Sequence, residues 1–187
     1  TKYNDGTYIP NVSDDNEWSN LATGAYCNYD NDQSNVATYG RLYNWYAVNT
    51  GKLCPTGWHV PSDAEWTTLE DYLIANGYNY DGTTTNDKIA KAMASSSGWK
   101  SSTDEGVIGN NDYPEKQNAS GFSALPGGFR SINGSSFSNF GNYGYWWSAT
   151  EVFPYSAWCR SMAYIGSDVR RSYGSKELGF SVRCVRD

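Results

Sequence analysis

Apolar residues recur at helical spacing in the first half of the chain and at short alternating spacing in the last third. In RLYNWYAVNTG, residues 41–51, Leu42, Trp45, Tyr46 and Asn49 fall on one helical face before a closing glycine, which predicts a short helix. The pattern strengthens after His59. Ser62 followed by Glu65 spells a capping box, in which each side chain takes the other residue's backbone N–H. Asp63 and Glu65 also suit the positive end of the helix dipole. Trp66, Leu69, Tyr72 and Leu73 then make one apolar stripe that stops near Asn76-Gly77. A further short helix is expected from Asp87 to about Ala94, burying Ile89, Ala90 and Met93.

Between and around these stretches the pattern fades. Residues up to Gly40 are turn-rich and aromatic and read as irregular structure laid over a core; Ser95 to Gln117 reads as a long ordered loop anchored by Trp99. From there GFSALPGGFR, YGYWWSATE, AWCRSMAYI, DVRRSY and GFSVRCVRD are short β-prone runs separated by Gly, Asn and Ser. The two Gly-Phe-Ser openings predict strands of similar pleat, not a repeat. The fold class is therefore α+β: two to three short helices in the first half and a small twisted antiparallel sheet in the second, in one domain spanning residues 1–187.

Composition narrows the function. The chain is 39% hydrophobic and 16% aromatic but only 18% charged, a mixture suited to surfaces that present rigid rings among short polar groups. A net charge of −6 and scattered basic residues argue against a nucleic-acid partner, which needs a basic surface. No apolar run approaches the roughly 18 residues that would span a bilayer, so membrane insertion of this domain is not expected. Cys27, Cys54, Cys159 and Cys184 lack the short paired spacings of a zinc site. Their even number fits an oxidising compartment, with three pairings open.

Candidate chemistry gathers in two places. CPTGWHVPSDAEW, residues 54–66, holds the only histidine of the chain beside Cys54, Asp63 and Glu65. As an active site it would need His59 as a base and Cys54 or a serine as nucleophile. The two acids already have a capping role, so the sequence favours a buried turn in which the His59 ring satisfies backbone groups. The second gathering is residues 151–173, where Phe153, Tyr155, Trp158, Arg160, Tyr164, Arg170, Arg171 and Tyr173 interleave with Ser, Gly and Asp. Alternation should leave half of them facing solvent as a plate for sugar faces or a protein partner, with Phe153, Tyr155 and Arg170 the most exposed. The competing expectation is core aromatics with snorkelling arginines. For calcium, Asp30, Asp32 and Ser34 imitate the start of an EF-hand, but Asn35 replaces its glycine and Arg41 stands where its bidentate acid belongs. No metal or cofactor is expected from side-chain motifs. A structural calcium held by backbone carbonyls stays open, because it leaves no sequence signature.

Taken in order, YGRLYNWYAV, CPTGWHVPSDAEWTTLEDYL, GFSALPGGFR, YGYWWSATE and GFSVRCVRD resemble the Fibrobacter succinogenes major paralogous domain across essentially the whole chain. The resemblance implies a C-type-lectin-like fold, a bacterial surface or secreted setting, N- and C-terminal strands close together, and Cys54 near Cys184 as disulfide candidates. HVPSDAEWT and the Gly179–Cys184 ending are also similar to segments of formylglycine-generating enzymes, which carry Leu in the place of His59. In those enzymes catalytic cysteines lie upstream of the ending, in the region of Cys159. Their oxidase chemistry needs a pair, and this segment has one. Cys159 is expected as a buried thiol or as a disulfide to Cys27. In some similar lectin-like proteins the stretch before the ending is diversified by a retroelement, which assigns that role to residues 151–173.

The expected function is that of a non-enzymatic, extracellular or cell-surface domain that binds a carbohydrate or protein ligand through residues 151–173. A purely structural module of a surface assembly is the second expectation, and a divergent formylglycine-generating-type oxidase the third.

Overall fold

One five-stranded sheet and two strand pairs organise the chain in the computed structural model, which describes residues 1–132 and 137–187. In chain order the elements are α1 (Asp15–Ser19), β1 (Tyr26–Cys27), α2 (Val36–Tyr39), β2 (Leu42–Tyr43), α3 (Trp45–Val48), β3 (Trp58–His59), α4 (Asp63–Ala75) and α5 (Ala90–Met93). Then follow β4 (Gly127–Arg130), β5 (Phe137–Phe140), β6 (Tyr143–Phe153), β7 (Ser156–Ala163), β8 (Arg170–Ser175) and β9 (Val185–Arg186). The class is α+β, as the pattern predicts. Five α-helices form among the described residues where two to three were expected, because α1 and α2 are single turns inside the segment read as irregular. Local chemistry explains α1: the Asp14 carboxylate accepts the Glu17 N–H at 2.8 Å, and Trp18 is sealed in the interior with its indole N–H on the Glu177 carbonyl at 2.7 Å.

The helix expected over residues 41–51 shrinks to α3. Leu42 and Tyr43 instead pair with Cys27 and Tyr26, and the buried Asn44 caps α3 by accepting the Ala47 N–H at 3.2 Å. In α4 the capping box forms as read: Ser62 Oγ accepts the Glu65 N–H at 3.2 Å, and Glu65 Oε2 accepts the Ser62 N–H at 2.8 Å. The stripe is corrected at one position. Trp66, Leu69 and Leu73 face inward, but Tyr72 is 60% exposed, and Glu70 occupies the inward position one turn beyond Trp66. The helix expected over residues 87–94 contracts to the four residues of α5, with Ile89, Ala90 and Met93 buried as expected.

The sheet runs β5-β4-β6-β7-β8. It is antiparallel except between β4 and β6, a correction to the expected all-antiparallel arrangement. β5 folds back on one edge of β4 and β6 returns along the other, so β6 must run parallel to β4. Gly128 meets Gly144 at that contact with a φ of 62°, and a Cβ there would collide with the Ser138 carbonyl and lie 2.8 Å from the Tyr29 ring. The C-terminal segment stitches the parts together. Gly179 bridges Arg130, Phe180 bridges Tyr43, Ser181 bridges Trp146, and β9 pairs with β3. Cys184 closes a disulfide to Cys54, with Cα atoms 5.9 Å apart.

The two faces of β6 and β7 separate two cores, as the twofold alternation of strands requires. Trp146 and Met162 pack against Trp66, Leu73, Ile89 and Met93, while Trp147, Ala157 and Cys159 pack against Trp45, Val48 and Phe180. A third cluster joins Trp18 to Cys27 and Leu42. Trp18, Trp45, Trp66 and Trp147 are fully buried, and each hides roughly 200 Å² of surface. Arg130 is buried beside Trp18, donating to the Val12 and Ser13 carbonyls at 2.5 and 2.9 Å and to Asp15 Oδ1 at 2.8 Å.

Candidate ligand-binding face

The β6–β7 hairpin extends past the end of α4, so side chains that would be core under the helix become surface beyond it. Register places Trp158 opposite Tyr173 and Arg160 opposite Arg171, and alternation puts all four on the face that carries Trp146 and Met162. Under α4 that face is filled by Arg160. Its side chain is fully buried and donates to Asp63 Oδ1 at 2.7 Å, to Thr67 Oγ1 at 3.2 Å and to Glu70. Beyond α4 the aromatic residues take over.

Those rings form a connected ladder. Arg171 lies 3.5 Å over the Trp158 ring; Trp158 meets Tyr173 edge-on at 6.0 Å; Tyr173 meets Phe153 edge-on at 5.8 Å; and Phe153 lies 6.2 Å from Tyr155 at an interplanar angle of 24°. Phe153, Tyr155 and Tyr173 are 48%, 69% and 57% exposed, while Trp158 is half-buried as the base of the plate. Two ionic ties hold it still. Arg171 grips Asp63 in a fork, with Nη2 to Oδ2 at 2.8 Å and Nε to Oδ1 at 3.0 Å. From behind, the Lys176 ammonium donates to Glu151 Oε2 and to the Pro154 carbonyl, each at 2.7 Å, which fixes the turn that carries Phe153 and Tyr155. Burial opposes ionisation of Asp63, but its hydrogen bonds from Arg171 and Arg160 hold the carboxyl below its usual value. Glu70 is more deeply buried and is pushed up despite Arg160.

The eight residues expected on the face therefore divide. Phe153, Tyr155, Trp158, Arg171 and Tyr173 come together. Arg160 is corrected from the surface to the interior, because its strand position lies beneath α4 and its charge is matched there. Arg170 is exposed but projects to the opposite face of β8 from Arg171, and half-buried Tyr164 lies past the far end of β7 beside Lys100. Lys176 and Glu151 were missed, since nothing local marks a strut between residues 25 apart.

The His59 corner also differs from its reading. His59 is not in a buried turn and does not satisfy backbone groups: Trp58 is 44% exposed, His59 Nδ1 lies 2.6 Å from Asp187 Oδ1, and Nε2 lies 2.8 Å from Glu65 Oε1. Hydrogen bonds donated by the ring to Asp187 and then to Glu65 favour its charged form and raise its pKa. Both nitrogens are thus occupied by carboxylates, Cys54 is in a disulfide, and Asp63 is held by two arginines. Cys27 and Cys159 are buried thiols in separate clusters, which resolves the alternative of a bond between them. Desolvation pushes their pKa values up to about 11 and about 12.

Asp32, from the EF-hand-like string, accepts the Ser34 N–H at 2.8 Å as a turn cap. Among the described residues no group of three or more His, Cys, Asp or Glu side chains could hold a metal ion. One oxygen cage is filled by a side-chain cation: the buried Lys91 ammonium sits 2.6 Å from the Asn110 carbonyl, 2.7 Å from the Asp112 carbonyl and 2.6 Å from Asp112 Oδ1. No helix among the described residues is long and apolar enough to cross a membrane.

Compared with known proteins, residues 1–186 match the family model of the Fibrobacter succinogenes major domain. No curated protein and no solved structure matches the chain.

Proposed function

The chain belongs to the Fibrobacter succinogenes major domain family, and from that premise we propose that it is a non-enzymatic ligand-binding domain of lectin-like type, working outside the cell or at its surface. The observation that carries the reading is the connected aromatic plate of Phe153, Tyr155, Trp158 and Tyr173, stiffened by the Arg171–Asp63 fork and the Lys176 strut. Exposed rings offer open faces to the C–H groups of a sugar, and large aromatic residues on a rigid support are what binding hot spots are made of. A carbohydrate is the ligand class that best fits rings standing on an open strand face, and a protein partner is the other. The cross-linked Cys54 and Cys184 suit an oxidising compartment. The plate falls within residues 151–173, the segment for which only the resemblance to some lectin-like proteins suggests retroelement diversification, and a near-identical template copy beside the coding sequence, differing only at adenines, would mark it.

The test is a screen of the purified domain against glycans, polysaccharides and surface proteins, repeated with Phe153→Ala, Tyr155→Ala and Tyr173→Ala combined. Ligands retained by the parent and lost by the triple variant, at unchanged melting temperature, support the reading. Ligands retained by both place binding elsewhere.

A further inference from the structure

A second concavity lies away from the plate, between α4 and the C-terminal segment. It encloses about 320 Å³ and is walled by Trp66, Leu69, Phe122 and Val185, with Glu65 and Arg183 at its edges. That volume is at the small end of sites that hold organic molecules, roughly 300 Å³ upward. Its aromatic wall is fixed by packing, since Phe122 lies 5.7 Å from Trp66 and 6.1 Å, edge-on, from Trp146. The neighbouring Cys54–Cys184 bridge and the β3–β9 pairing hold the opposite side.

Charge distinguishes this pocket from a plain apolar dimple. The Arg183 guanidinium lies 4.5 Å over the Phe122 ring and donates to the Phe122 carbonyl; among the described residues it has no acidic partner. The residue is exposed overall, so the cation stands at the pocket mouth and is open to a ligand arriving from solvent. Glu65 is the acid closest to hand and is already committed, with Oε2 on Ser62 and Oε1 on His59. A planar guanidinium with unused N–H donors is matched by a carboxylate, which takes two of them side by side. The walls ask for a ring, because aromatic groups gain most when packed edge-to-face against other rings.

We infer that this pocket binds a small aromatic carboxylate, its ring against Trp66, Leu69 and Val185 and its carboxylate on Arg183. The inference is independent of the plate.

Titration of the disulfide-intact domain with 3-phenylpropanoate and with its neutral amide, followed by methyl and aromatic NMR, tests it. The acid should give saturable shifts at Leu69, Val185 and Trp66, with the amide at least about tenfold weaker, a difference of about 1.4 kcal/mol. Arg183→Gln should reduce acid binding to the level of the amide, Arg183→Lys should keep part of it, and the plate triple variant should leave it unchanged. The inference is overturned if no saturable shift occurs, if the amide binds as well as the acid, or if the shifts fall on the plate. Should Arg183→Gln fold poorly, the acid–amide comparison on the parent domain decides alone.

Discussion

The corner around His59 and the plate from Phe153 to Tyr173 both gather side chains associated with function, and they are built in opposite ways. In the corner each polar group is turned on another: His59 on Glu65 and Asp187, Glu65 on Ser62, Cys54 on Cys184. At the plate the polar groups pair beside and behind the rings, Arg171 with Asp63 and Lys176 with Glu151, and the rings of Phe153, Tyr155 and Tyr173 are left outward. Internal pairing makes a scaffold. Internal support with open ring faces makes a surface available to a partner.

The comparison breaks most visibly at Arg160, which links α4 to the strands beneath the plate. Arg160→Ala leaves Asp63 and Glu70 without their buried cation, and removing one partner of such a network costs about 3–5 kcal/mol. Denaturant unfolding should show this loss. A change within the range of surface substitutions would mean that the network does not organise the face.

Removing the disulfide tests the corner. Replacing Cys54 and Cys184 together with Ala opens a link between residues 130 apart in sequence, for an expected loss of about 2–5 kcal/mol by chain-entropy and mutational experience. Cys27 and Cys159 should stay unreactive to a thiol reagent in the native protein and react only on unfolding, because both are buried with raised pKa values. Fast native labelling of either thiol would contradict their placement.

A subtler contrast is pH dependence. His59 has a raised pKa in the fold, so its stabilising contribution is fully present below the ordinary histidine value of about 6.5 and fades as pH rises through the folded value. Glu65 is depressed, first by its backbone hydrogen bond from Ser62, so its contribution is present above the ordinary glutamate value and fades as pH falls through the folded one. Melting temperatures of the parent and of His59→Gln should therefore converge as pH rises above neutral. Parallel curves would mean that the clasp is not formed in solution. The smallest expected stability effect is at the plate: Tyr155→Ala, at 69% exposure, should change melting by no more than ordinary surface substitutions, within about 0.5 kcal/mol, while weakening ligand binding.

Much of the scaffold was legible because its signals are local. Ser62 and Glu65 cap α4 from three residues apart, and the apolar strings of β6 and β7 mark strands in any context. Tyr72 and Arg160 were misplaced for the same physical reason. A stripe or a strand pattern shows which residues share a face, not how far the covering element extends over it, and α4 covers Arg160 but not Trp158. The pairing of His59 with Asp187, 128 residues away, and the Lys176 strut depend on where the C-terminal segment lies, which no local spacing encodes. The parallel β4–β6 contact follows from the route of β5, again a tertiary fact.

The central claim is that the plate, not the corner, meets a ligand. The most direct measurement is aromatic carbon-edited NMR of the domain with a glycan selected by the screen. Shifts concentrated on the Phe153, Tyr155 and Tyr173 rings, with His59 and Trp66 unmoved, are the predicted result. A silent plate with shifts at His59 or along the α4 pocket would contradict it.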